Sequence, residues 1–143
     1  MKKISVKRND GGVSIIIPAD EATPELLERD ALAVIGYVSH REIEDFDIPP
    51  DRTFRNAWTD DLPGSQIDIN LPKAKEIKKD QLRILRKPKL EALDIEFMLA
   101  LEAGDTAKQQ ELAAKKKELR DVTKLILPDT IDDLKDFVPT ILQ

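Results

Sequence analysis

LEALDIEFMLALEAGDTAKQQELAAKKKELRDVT, residues 90–123, holds two helical stretches separated by Gly104-Asp105. Glycine tolerates the left-handed conformation that ends a helix, and the aspartate after it can cap the next one. Leu90, Leu93, Phe97, Ala100 and Leu101 recur at helical spacing before this stop, and Leu112, Leu119, Val122 and Ile126 form a stripe after it. A connection this short between two apolar stripes predicts an antiparallel hairpin. Ile95 and Leu99 fall roughly opposite the first stripe. Two apolar faces need two neighbours, so these two residues are candidate protein-interaction positions.

Upstream, Pro72 opens a long helical region preceded by Asn70 and Leu71. On a helical wheel Ala74, Ile77, Ile84 and Leu85 share one sector, with the basic residues Lys73, Lys75, Lys78, Lys79, Arg83, Arg86 and Lys89 spread over the opposite side. Pro88 is expected to break or kink this helix, because proline removes a donor and crowds the preceding turn. Downstream, Pro128-Asp129-Thr130 starts a short acidic helix whose Leu134, Phe137 and Val138 can seal the end of the pair.

The N-terminal part has a different texture. Ile4-Ser5-Val6-Lys7 alternates, Asn9-Asp10-Gly11-Gly12 supplies turn residues, and residues 13–17 are β-branched apart from Ser14, which together predict a hairpin. Thr23-Pro24 reads as a cap and first position of a helix ending near Gly36, and residues 37–43 have strand composition. Residues 44–65 are loop-like around the segment DRTFRNAW, residues 51–58, read as one or two helical turns capped by Asp51 with Phe54 and Trp58 on one face. Residues 66–70 alternate and are expected to add a fourth strand. The fold class is therefore α+β: a small N-terminal antiparallel β unit with a short helix over residues 1–45, a loop with a docking segment over 46–71, and a helical hairpin with a short last helix over 72–143.

Composition narrows the functions. The 143 residues carry no cysteine, which removes disulfides, thiolate nucleophiles and thiolate zinc sites. Aromatics make up 4% and charged residues 36%, so the interior must be filled by aliphatic side chains. The N-terminus turns polar too soon for a signal peptide, and no stretch is apolar enough for a membrane span. A net charge of −5 is unevenly spread: residues 72–124 hold 14 Lys/Arg against 10 Asp/Glu, and the remainder holds 9 against 18.

Catalytic chemistry finds little purchase. His40 is the only histidine, so a Ser-His pair must join it to Ser5, Ser14, Ser39 or Ser65, and a partly exposed strand histidine is the simpler reading. The acidic pairs Asp45/Asp47, Asp60/Asp61 and Asp132/Asp133 lack calcium-loop spacing and suit loop solvation and capping. Neither a metal nor a cofactor is expected, and the chain is expected not to be an enzyme. Residues 73–89 hold eight Lys/Arg against two acids and no aromatic residue. Lys75, Lys78, Lys79, Arg83 and Arg86 are candidates for an anionic partner, although a solvated helix face is favoured over nucleic-acid binding in an acidic chain without stacking residues. Phe54 and Trp58, flanked by Arg52 and Arg55, form the other candidate protein-interaction site; the alternative is that both rings pin the loop to the protein's own core.

DRTFRNAW at residues 51–58, INLPKAKEIKKDQLR from Ile69, the hairpin at 90–123 and, more weakly, TIDDLKDFVP from Thr130 together resemble a family of small tailed-bacteriophage and prophage proteins encoded near tail or tail-fibre genes. The similarity spans roughly residues 48 to 139, with Asn56 where related sequences have Asp. It implies a viral, tail-associated structural or interaction protein, found in the virion tail or in host cytoplasm during assembly. It transfers signature positions Asp51, Arg52, Thr53, Phe54, Arg55, Ala57 and Trp58 and no catalytic residue. A phage tail or tail-fibre protein is then the expected partner, with the chain a homo-oligomer or part of a larger assembly and no membrane involved. A tail-fibre assembly chaperone and a nucleic-acid or host-factor binder are the alternatives.

Overall fold

The structure, a computed structural model, describes residues 2–61 and 66–143. It divides into two compact units, residues 1–74 and 75–143. The segment 46–71 falls within the first unit.

In the first unit, β1 (Lys3–Arg8) is the centre of a three-stranded antiparallel sheet, between β2 (Val13–Ile16) and β3 (Tyr37–Ile43). Asn9 to Gly12 turn the hairpin as expected, with the Arg8 and Gly11 amides donating to the Gly12 and Arg8 carbonyls at 2.9 and 3.1 Å. The register sets Val6 opposite Ser14 and His40, and Ser5 opposite Ile15 and Arg41, so alternate residues feed two different faces. One face, with Ile4, Val6 and Ile16, is covered by α1 (Pro24–Leu32) through Leu27 and Ala31. Thr23 caps this helix by accepting from the Leu26 amide at 3.3 Å. α1 stops at Leu32, sooner than Gly36, and Gly36 instead turns the chain into β3 at φ +80°. A Cβ there would lie 2.6 Å from the oxygen of the exposed Asn9 side chain, which could move aside, so the positive φ is what requires glycine.

The opposite sheet face carries its own core of Ile43, Trp58 and Ile67, packed by Val13, Ile15, Ile48 and Ile69. The expected fourth strand does not join the sheet. Two residues, β5 (Asp68–Ile69), pair instead with β4 (Trp58–Thr59) in a separate two-stranded ladder. Such a short ladder is enough to fix the side chain of Trp58 inward.

α2 (Leu71–Glu102) runs unbroken through Pro88. Asn70 caps its start by accepting from the Lys73 amide at 2.9 Å. Proline loses one backbone bond but does not stop a helix held on both sides of it by packing. Within the second unit, α3 (Thr106–Asp121) returns antiparallel after Gly104, which has φ +67°, and Asp105, whose carboxylate accepts from the Lys108 amide at 3.0 Å. Gln109 Nε2 donates to the Ala100 carbonyl, Lys116 pairs with Asp94 at 2.6 Å, and Arg86 donates to the Arg120 carbonyl at 2.7 Å. These three links, read along α2 in reverse, define the hairpin. Leu112, Leu119 and Val122 are buried, each aliphatic side chain contributing about 1.5–3 kcal/mol. α4 (Ile131–Asp136), capped by Thr130, adds the buried Leu134.

The wheel reading of α2 needs correction. Its buried line is Ala74, Lys78, Leu82 and, further on, Ala100, whereas Ile84 and Leu85 are exposed. Leu101 also faces outward, as does Ile126, whose place in the core is taken by Leu127. Among the described residues no helix is long and apolar enough to cross a membrane.

Candidate functional site

The segment 51–58 is built by turn chemistry rather than by an α-helix. Asp51 accepts from the Thr53 amide at 2.9 Å and from its hydroxyl at 2.6 Å. A single 3-10 turn then covers Arg55–Ala57, and the Trp58 amide closes it on the Arg55 carbonyl. Phe54 and Trp58 therefore do not share a helical face. Both are buried, at 2% and 5% exposure, in the first unit. Of the two readings for these rings, the internal anchor describes their position.

Their flanking arginines behave differently. Arg52 and Arg55 are exposed, and together with Lys3, Ile15, Pro50 and Trp58 they line an open cleft of about 420 Å³ on the sheet face opposite α1. Lys3 is paired with Asp45 at 2.7 Å, whose carboxyl is held below its ordinary range by the hydrogen bond and charge of that lysine. Among the described residues neither Arg52 nor Arg55 is held by an ion pair, so their charge is available at the rim. Trp58 lines the cleft, but its indole Nε1 is buried away from solvent, without a hydrogen-bond partner among the described residues. A buried donor without an acceptor costs about 1–3 kcal/mol. The cleft thus combines an apolar floor and a cationic rim.

Beside it lies a polar cluster that the sequence reading assigned to loop solvation. Asp60 receives the Arg41 guanidinium through Nε at 2.9 Å and Nη2 at 2.7 Å, and the Ser5 hydroxyl at 2.5 Å. Its carboxylate is 5% exposed. Burial pushes the Asp60 carboxyl up, but the Arg41 and Ser5 hydrogen bonds outweigh this and hold it below its ordinary value. The cluster ties the loop after β4 to strands β1 and β3. Polar residues at inward positions, Ser5 and Arg41, were the signal that could have located it.

His40 lies on the other sheet face, opposite Val6, and its Nδ1 meets the Tyr37 hydroxyl at 2.9 Å. Ser5 and Ser39 alternate to the far side, Ser14 Oγ accepts from Arg8 at 2.8 Å, and Ser65 lies outside the described residues. The structure therefore brings none of the described candidates Ser5, Ser14 and Ser39 to His40 as a hydrogen-bonded pair. Among the described residues no group of His, Asp and Glu could hold a metal ion.

The five candidate basic residues of α2 are engaged within the chain. Lys75 pairs with Asp129, Lys79 with Glu76 and Arg83 with Asp80, while Arg86 holds α3. Lys78, placed by the wheel on the solvent side, is 5% exposed and donates to the Lys135 carbonyl at 2.9 Å. Burial lowers its pKa, partly offset by Asp136, so this lysine favours folding more as the pH rises through its folded value towards its higher unfolded one. Lys78→Met keeps the apolar stem and removes the desolvation cost. Its stability at pH 7 is expected to stay within about 1 kcal/mol of the parent, measured by urea unfolding. A larger loss would mean that the carbonyl bond dominates.

Ile95 and Leu99, by contrast, stand open at 65% and 60% exposure on the outer face of α2. Comparison of the chain with family models, with curated proteins and with solved structures returned no match.

Proposed function

We propose that this chain is a tail-associated interaction protein of a tailed bacteriophage or prophage, working by protein–protein binding and without turnover. The observation that carries the binding reading is the convergence of Arg52, Arg55 and Trp58 on one open cleft. The tail assignment rests on the resemblance of residues 48 to 139 to small tailed-phage proteins. An acidic segment of a tail or tail-fibre protein fits the cleft: the arginines supply fork-shaped donors and the apolar floor takes a side chain.

Mass spectrometry of purified virions tests the location. Detection at a copy number comparable with known tail components supports a structural role, whereas absence from particles together with presence in lysates moves the chain to the assembly-chaperone alternative. The cleft has its own test. Arg52→Glu combined with Arg55→Glu is expected to abolish co-sedimentation with tail protein while changing stability by less than about 0.5 kcal/mol per site, because both side chains are exposed. Unaltered co-sedimentation would remove the cleft from the reading. Nucleic-acid binding through residues 73–89 is the weaker alternative, since the five basic candidates already have partners within the chain.

A further inference from the structure

Ile84, Leu85, Pro88, Ala92, Ile95 and Leu99 are all exposed, and on a helical wheel they fall within a sector of about 100°. No charged residue between Ile84 and Leu99 enters that sector. The stripe runs for about 22 Å, on the side of α2 away from the line of Leu82, Leu93 and Ala100. A solvent-exposed apolar stripe of this length along one helix is a partner-binding face.

The sequence along the stripe indicates which partner. Read from either end it has nearly the same spacing: Ile84 stands as far from Ala92 in one direction as Leu99 does in the other, to within one residue, and Pro88 likewise matches Ile95. The charges beside it do the reverse. Lys87 and Lys89 flank the first half, Asp94 and Glu96 flank the second, and Glu91 lies beside the middle. Lys87, Lys89 and Glu96 have no partner among the described residues.

We propose that α2 pairs with α2 of a second copy of this chain, antiparallel, about a two-fold axis close to Ala92. Ile84 then meets Leu99 of the other copy and Pro88 meets its Ile95. In such a dimer each helix flank faces the same flank of its partner, running the opposite way. Lys89 therefore comes beside Glu96 of the second copy, and Lys87 comes near its Asp94, which Lys116 of the same chain also holds. A parallel pair would set Lys87 near Lys89 of the other copy and Asp94 near its Glu96, like charge against like, which disfavours that orientation. Glu91 lies near the axis and is the one like-charged meeting; Lys87, one turn back on the same helix, offsets it.

Dimerisation through α2 deepens the reading of the chain as a protein-binding protein and rests on it, but the purified chain tests it without any tail component. A monomer would remove the dimer and leave the Trp58 cleft to its own experiment. Light scattering is expected to give twice the monomer mass, falling to the monomer mass for Leu99→Glu with an unchanged circular dichroism spectrum. Lys89→Glu is expected to weaken the dimer roughly tenfold, since the change acts twice by symmetry, and adding Glu96→Lys to it should restore most of the loss. The chain has no cysteine, so Ala92→Cys introduces a unique thiol. At an interhelix distance of about 8–10 Å it should cross-link rapidly with a short bis-maleimide, whereas Leu99→Cys should not. Equal cross-linking at both positions would indicate a parallel pair and overturn the proposal, as would a monomeric parent chain at high concentration.

Discussion

Phe54→Ala is expected to lower the stability of the first unit by about 3–5 kcal/mol, the cost of deleting a buried phenyl ring that its surroundings cannot refill. Small domains hold only about 5–15 kcal/mol in total, so this variant should unfold at a markedly lower urea concentration or be partly unfolded without denaturant. Trp58 is the only tryptophan, and it belongs to the same unit as Phe54, so its fluorescence reports on this transition. The contrast with Arg52 and Arg55 is the point of the measurement. Within one octamer, the ring is expected to govern folding and the guanidiniums to govern binding. A loss below about 1 kcal/mol would mean that Phe54 is accessible in solution and acts as a docking knob.

The second large effect is expected at Asp60. Asp60→Asn keeps the shape and an acceptor for Ser5 but removes the charge that both Arg41 contacts use. The guanidinium would remain partly buried, at 22% side-chain exposure, opposite a neutral amide. Partial access to water limits the penalty to about 2–3 kcal/mol at pH 7. The pH dependence has a definite sign. The folded carboxyl titrates below its unfolded value, so its contribution is fully present above the unfolded pKa of about 3.9 and is lost as the pH falls through the folded one. The gap between parent and variant in urea midpoint should therefore be constant near neutrality and narrow below about pH 4. A gap independent of pH down to strongly acidic conditions would show that shape, not charge, sets the effect.

How far the fold could be read from the residues depended on whether local chemistry decided it. The hairpin turn at Asn9 to Gly12, the Thr23 cap before Pro24 and the Gly104-Asp105 reversal each carry their own local cause, and all three stand where the residues indicated. Features decided by distant partners were misplaced. Lys78 read as a solvent lysine because its charge was visible in the sequence, whereas the Lys135 carbonyl that receives it lies 57 residues away. The buried line of α2 advances by steps of four from Ala74 through Lys78 to Leu82, which rotates it away from Ile84 and Leu85. A wheel centred on aliphatic residues alone could not follow that drift.

The candidate site was legible in part. Residues 51–58 were singled out, and the exposed arginines and the buried rings are both found there, but Phe54 and Trp58 at a spacing of four suggested a helix where an Asx turn and a 3-10 turn occur. Such a turn hides one ring in the interior and turns the other into the wall of a cleft. The unpartnered indole donor could not be inferred locally, since it depends on the pairing of β4 with β5, whereas the Asp60 cluster left a trace only in the inward polar positions Ser5 and Arg41. Ile95 and Leu99, opposite the main stripe of the helix, were identifiable from spacing alone and are exposed.

Size-exclusion chromatography with light scattering, on the purified chain mixed with tail or tail-fibre protein of the phage proposed to encode it, tests the central claim most directly. The account predicts a co-eluting complex of defined mass that is lost when Arg52 and Arg55 are both replaced by glutamate. Separate elution of the two proteins at concentrations well above those in an infected cell would contradict it.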